Sequence, residues 1–112
     1  MDDGERAAIF RLHAEFCKSL SDANRLLIIT VLARGETSVN ELAQKLGLKQ
    51  SNVSKHLSLM REHGLVNARR QGLSIYYNLS DRRIFEAIKM LQDVQADQIE
   101  KRRKLAAGIA QI

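Results

Sequence analysis

Apolar residues recur along this chain with a helical period, interrupted once by a stretch that alternates. Ile9, Leu12, Phe16 and Leu20 share one face of a first helix over residues 5–20. A second helix runs from Asp22, placed to cap it, to Ala33, and contains the run "LLIITVLA". The third opens at Ser38, where "SVNE" has the spacing of a capping box with Glu41, and continues through Leu42, Ala43 and Leu46 to Gly47. A fourth begins at Lys49–Gln50 and closes at Gly64, with Val53, Leu57 and Met60 on one stripe. The alternating stretch "LVNARRQGLSIYYNL" (65–79) predicts a β-hairpin turning at Gly72. Ser80 or Asp81 then caps a long last helix to Ala107, with Ile84, Ile88 and Leu91 as its apolar stripe. Gly35, Gly47 and Gly64 each follow a helical pattern, and there is no proline, repeat or low-complexity linker.

Four helices, a hairpin and a fifth helix describe a mostly α fold with a small β-hairpin, a winged helix-turn-helix. The helix-turn-helix covers about 38–63 and the wing about 65–79, within one domain over residues 5–107. At 112 residues there is room for one core only. Phe10, Phe16, Phe85, Tyr76 and Tyr77 are the only aromatic residues, so burial shared between two chains is expected. The longest uncharged apolar run is far short of the roughly 20 residues that span a bilayer. The acidic N-terminus also lacks the apolar core of a signal peptide, which predicts a cytoplasmic protein.

The net charge of +5 is unevenly placed. Residues 49–80 carry Lys49, Lys55, Arg61, Arg69 and Arg70 against Glu62 alone, which favours a polyanionic partner. The start of the fourth helix supplies matching chemistry. A helix in the DNA major groove reads bases through its N-terminal residues. Gln50 and Asn52 have the amides that pair with adenine, and Lys55 can donate to guanine or to phosphate. Ser51 and Ser54 are short donors, His56 can serve either way, and Lys49 adds a cation. "ARRQGLS" then puts Arg69, Arg70 and Gln71 at a protruding turn, where a wing would enter the minor groove or grip the backbone. A solvated polar face explains either feature alone. Two basic features at this separation favour double-stranded DNA.

Residues 16–81 resemble the ArsR-type family of winged-helix transcription repressors. The likeness runs from Leu20 to Leu32, from Ser38 to Ala43, and through "QSNVSKHLSLMREHGLVNARRQGLSIYYNL". The resemblance implies a homodimer built on the first and last helices (5–20 and 81–107) that binds an imperfect palindrome in a promoter. It also implies where metal ligands would stand. Ser38 and Asn40 occupy the positions of the family's Cys-x-Cys pair, and neither is a thiolate. Asp81, Arg83, Val94 and Asp97 occupy the zinc positions of the last helix, where both imidazoles are missing. No cofactor or metal is therefore expected, and no effector is identified.

Cys17, the only cysteine, lies one helical turn after His13. That spacing suits a pair of ligands or a thiol sensor, although a free cysteine here is more simply read as a small buried apolar residue. "KRRK" (101–104) is read as cations in the last turns of a helix, where the macrodipole favours them. Two rival functions are a winged-helix module that binds protein, and an enzyme. No Gly-rich phosphate loop, HExxH or plausible triad supports the second, and His13, His56 and His63 are scattered.

Overall fold

The computed structural model describes residues 1–111. In chain order the elements are α1 (Asp3–Ser19), α2 (Ala23–Leu32), β1 (Thr37–Ser38), α3 (Val39–Leu46), α4 (Gln50–Glu62), β2 (Val66–Gln71), β3 (Ser74–Leu79) and α5 (Arg83–Ala110). This is the winged helix-turn-helix order, with one strand that periodicity did not announce. β1 is only two residues long, and it joins the hairpin to give an antiparallel sheet in the order β1-β3-β2. Contacts divide the chain after Asp81, leaving α1 to β3 as one compact unit and α5 as a second.

The core of the first unit is built from the predicted stripes. Ile28 and Ile29 of α2, Leu42 of α3, and Val53, Leu57 and Met60 of α4 are fully buried, together with Leu65. Val66 and Tyr77 carry the core onto the sheet. α2, α3 and α4 thus close around one another, and α4 gives them three residues from a single stripe.

Caps set where the helices begin and end. Asp22 accepts from the amides of Asn24 (2.9 Å) and Arg25 (3.1 Å), as its position predicts. The Ser38 hydroxyl accepts from the Glu41 amide at 3.2 Å, which is half of a capping box. The reciprocal bond differs, because Ser38 Oγ donates to Glu41 Oε1 while its own residue is paired in the sheet opposite Tyr76. At Gly47 a left-handed backbone (φ 65°) lets the Leu48 amide return to the Ala43 carbonyl. That tight exit delivers the chain into α4 within three residues.

The boundaries of the outer helices differ from expectation. α1 starts two residues early because Asp2 accepts from the Glu5 amide at 2.7 Å. α5 begins at Arg83 after Arg82, so neither Ser80 nor Asp81 is its N-cap. Ser80 is used instead to tie the end of β3 to the end of α4, donating to the carbonyls of Gly64 (2.6 Å) and Leu65 (3.1 Å). α5 also runs on to Ala110, so the basic cluster at 101–104 is not in its last turn. A local ion pair, Arg103 to Glu100 at 2.8 Å, compensates part of that cluster in place of the helix terminus.

The predicted stripe of α1 is the largest departure. Leu12 is 66% exposed and Ile9 48%, with Phe10 beside them at 65%, and only Ser19 of this helix is buried. Periodicity identified an apolar face that is half-buried at Phe16 and Leu20 and left exposed at Ile9 and Leu12.

Leu57→Ala should destabilise the winged unit by about 2–5 kcal/mol, since it opens a cavity where α2, α3 and α4 meet. Chemical denaturation followed by circular dichroism measures this. A loss below about 1 kcal/mol would mean that α4 is not the element closing the core.

Candidate nucleic-acid interface

Because α4 buries Val53, Leu57 and Met60, its remaining positions are forced outward. Gln50, Ser51, Asn52, Ser54 and Lys55 are all exposed, as is Lys49 just before the helix. No carboxylate occurs in the first turn of α4, and no side chain caps it. The positive end of the helix and the side-chain donors beside it present a face suited to anions.

Across from this face stands the hairpin. Its register pairs Gln71 with Ser74 and leaves Gly72 and Leu73 as a two-residue loop. Gly72 has a positive φ of 62° and Leu73 does not, the pattern of a type II′ turn that follows the strand twist. Gln50 and Ser54 of α4, the start of α3 (Ser38, Val39, Asn40), and Leu73, Ser74 and Ile75 of the hairpin line one open cleft of about 160 Å³. The recognition helix and the wing therefore border the same concavity. Gln50 is already engaged there, its Nε2 donating to Asn40 Oδ1 across the turn between α3 and α4.

The two wing arginines are not equivalent. Neither sits in the turn; they are consecutive residues of β2, and consecutive strand residues point to opposite faces. Arg70 stands opposite Ile75, which lines the cleft, and is exposed. Arg69 stands opposite Tyr76, with its guanidinium carbon 5.2 Å from the ring centroid. Its Nε lies 3.2 and 3.3 Å from the two carboxylate oxygens of Glu36, its Nη2 also reaches Glu36 Oε1, and its Nη1 donates to Gln71 Oε1 at 2.8 Å. The hydrogen bonds from Arg69 hold the Glu36 carboxyl below its usual range, and Glu36 in return raises the arginine. One cation of the supposedly unopposed patch is thus balanced by an acid 33 residues away.

His56 is also placed differently from the other predicted contacts. It is half-buried on the flank of α4, with Nε2 4.0 Å from Asp22 Oδ1. The Arg25 amide, then His56 and the Asn24 amide, lower the Asp22 carboxyl against the opposing cost of desolvation. His56 thus faces the N-terminus of α2, and its link to DNA would be indirect.

Cys17 is exposed on α1, which overturns the expectation of a buried core thiol. Its sulfur lies 3.6 Å from His13 Nε2, the contact that their spacing allows. Among the described residues, no group of three or more His, Cys, Asp or Glu is arranged to hold a metal ion. No helix among them is long and apolar enough to cross a membrane.

Three residues of this region were missed in the sequence. Leu73 at the wing tip was legible, since a glycine opening a two-residue loop leaves the next residue outermost. Glu36 and Asn40 carried no local signal, because their partners, Arg69 and Gln50, are distant in the chain.

A helix-turn-helix joined to a flanking hairpin, with hydrogen-bonding groups on the exposed helix face, defines a winged-helix DNA-binding regulator. Comparison with known proteins gives the family. Residues 22–68 match the model for bacterial regulatory proteins of the arsR family. The chain is 38% identical over 84 residues to nodulation protein NolR of Rhizobium meliloti, covering 75% of this chain and 69% of that protein. It is 35% identical over 81 residues to the biofilm growth-associated repressor of Xylella fastidiosa, covering 72% and 71%. A solution structure from Mycobacterium bovis, of the homodimeric winged helix-turn-helix DNA-binding domain of Mb0332, superimposes with a TM-score of 0.78 at 30% identity, covering 90% of this chain and 93% of that one. The protein belongs to the arsR family of transcriptional regulators.

Asp22→Ala should cost about 0.5–2 kcal/mol through loss of the α2 cap, and Asp22→Asn much less. Because the folded carboxyl is lowered, its contribution is complete above the ordinary aspartate range and disappears as pH falls through the depressed value. Acid unfolding of the two variants beside the wild type checks this. An Asp22→Asn curve that keeps the full wild-type acid dependence would remove Asp22 as the titrating group.

Proposed function

We propose that this protein is a homodimeric repressor that binds a palindromic promoter site in the cytoplasm. The helix-turn-helix (38–63), the wing (65–79) and the pairing helices (5–20 and 81–107) form one regulatory domain. The observation that carries the reading is the shared cleft, which is lined by Gln50 and Ser54 of α4 together with Leu73, Ser74 and Ile75 of the wing. In a symmetric pair the two α4 helices would enter major grooves about one turn of duplex apart. Blocking a promoter in this way excludes polymerase, and one of the relatives above is itself named as a repressor.

The uncovered face of α1 supports pairing. Ile9 and Leu12 share an exposed face of α1, Phe10 is exposed on another side of the helix, and α5 carries Met90, Leu91, Val94, Ile99, Leu105 and Ile109 exposed as well. Apolar surface of that extent is a standard mark of association. The homodimeric architecture of the Mycobacterium bovis domain supplies a precedent.

In this reading Gln50, Ser51, Asn52, Ser54 and Lys55 meet base edges and phosphates, and His56 backs the helix from behind. Lys49, Arg70 and Gln71 supply the phosphate side of the contact, and Arg69, paired with Glu36, braces the wing. Asn52→Ala or Lys55→Ala should lower cognate affinity by about 1–3 kcal/mol while leaving non-cognate binding less affected. Arg70→Ala should weaken binding to every sequence and reduce the slope of log K against log salt by about 1.8, one phosphate's worth for each protomer of the pair. Fluorescence anisotropy over a salt series on an operator selected from random duplexes measures both. Salt-insensitive or undetectable binding by the wild type would favour the rival reading, a winged module that docks on protein.

Control of the repressor rests on a ligand or thiol change that favours one dimer geometry over another. The exposed Cys17 beside His13 is the thiol proposed for this role. Oxidant should lower operator affinity in the wild type and leave Cys17→Ser unchanged, and identical curves for the two proteins would remove it.

A further inference from the structure

We propose that Glu36 sets the electrostatic selectivity of the wing by withholding Arg69 from phosphate, so that Arg69 positions the wing and Arg70 alone grips the backbone there. The inference rests on the DNA-binding reading and deepens it.

Geometry carries it. Arg69, Tyr76 and Ser38 are in register across the three strands, and alternation places them on one face of the sheet. Glu36 lies just before β1, and its contact with Arg69 brings its carboxylate to that same face. Its carboxylate reaches over the central strand to the guanidinium on the far edge strand. The guanidinium is held from three directions: by Glu36 through Nε and Nη2, by Gln71 through Nη1, and by the Tyr76 ring beneath. A planar fork matched to a carboxylate in this way is more ordered than an ordinary surface pair. Arg70 shares its face of the hairpin with Ile75, on the cleft beside α4.

The consequence is a division of labour that composition cannot show. An arginine free to meet any phosphate adds equally to cognate and non-cognate binding. One locked to a carboxylate adds nothing to that indiscriminate attraction, yet braces the strand that carries Arg70 and the wing tip. Glu36 thereby raises the ratio of specific to non-specific binding without touching a base.

The test uses the full chain, anisotropy salt titrations on a selected operator and on a scrambled duplex, and a double-mutant cycle. Glu36→Gln, freeing one Arg69 in each protomer, should steepen the salt slope by about 1.8, an additional loss of about 12-fold between about 50 and about 200 mM salt. It should also tighten binding to the scrambled duplex at low salt. Arg69→Ala should lower operator affinity severalfold with the slope unchanged, whereas Arg70→Ala flattens it. In an Arg69→Ala background, Glu36→Gln should leave the slope as it was, which separates release of Arg69 from simple removal of a negative charge.

Two results would overturn the proposal alone: Arg69→Ala flattening the slope as much as Arg70→Ala, or Glu36→Gln acting equally with and without Arg69. Absence of salt-dependent binding in the wild type would instead overturn the DNA-binding reading, and the role of Glu36 with it.

Discussion

The burial of Val53, Leu57 and Met60 is the constraint on which the rest of the winged unit depends. With those three residues fixed among α2 and α3, α4 has no rotational freedom about its axis, and every other position is assigned a direction. Ser51, Asn52, Ser54 and Lys55 are thereby presented outward and Gln50 is turned toward the wing, while His56 is left at the margin against Asp22. Hydrophobic burial is non-directional in itself. Packed at native density on one stripe of a helix, it becomes the device that aims polar groups.

The wing is held by a different kind of force. Its two long strands pair in register from Val66–Leu79 to Gln71–Ser74, and the short β1 adds a third strand just before the helix-turn-helix. β1 brings Glu36 within reach of the hairpin, while Ser80 joins the hairpin's other end to the C-terminus of α4. The wing is therefore tied to the body through an ion pair at one edge and a hydroxyl at its base.

The periodicities predicted the elements well, and the reason is visible at individual residues. Asp22, Ser38 and Gly47 act within a few residues of themselves, through caps and a left-handed turn, and such local chemistry is written in the sequence. Ser80 shows the limit of the same logic. A serine before a helix reads as an N-cap, but here carbonyls at the end of α4 captured its hydroxyl, 15 and 16 residues back. The α1 stripe shows another limit, since a helical period reveals an apolar face without saying what covers it.

The sequence by itself determined the order of the helices and the hairpin and which stripe of α4 faces inward, because these follow from backbone periodicity and short-range hydrogen bonding, and its motifs carried the family. It also contained the separation of Arg69 from Arg70, since strand neighbours must point apart. Only the tertiary structure decided that Arg69 is neutralised, that Gln50 is held by Asn40, that His56 turns to Asp22, and that Cys17 is exposed. Each of the first three depends on a partner brought close by packing rather than by the chain, and the last on what packing leaves uncovered. A charge count along a window therefore could not reveal how much positive charge the wing offers to DNA.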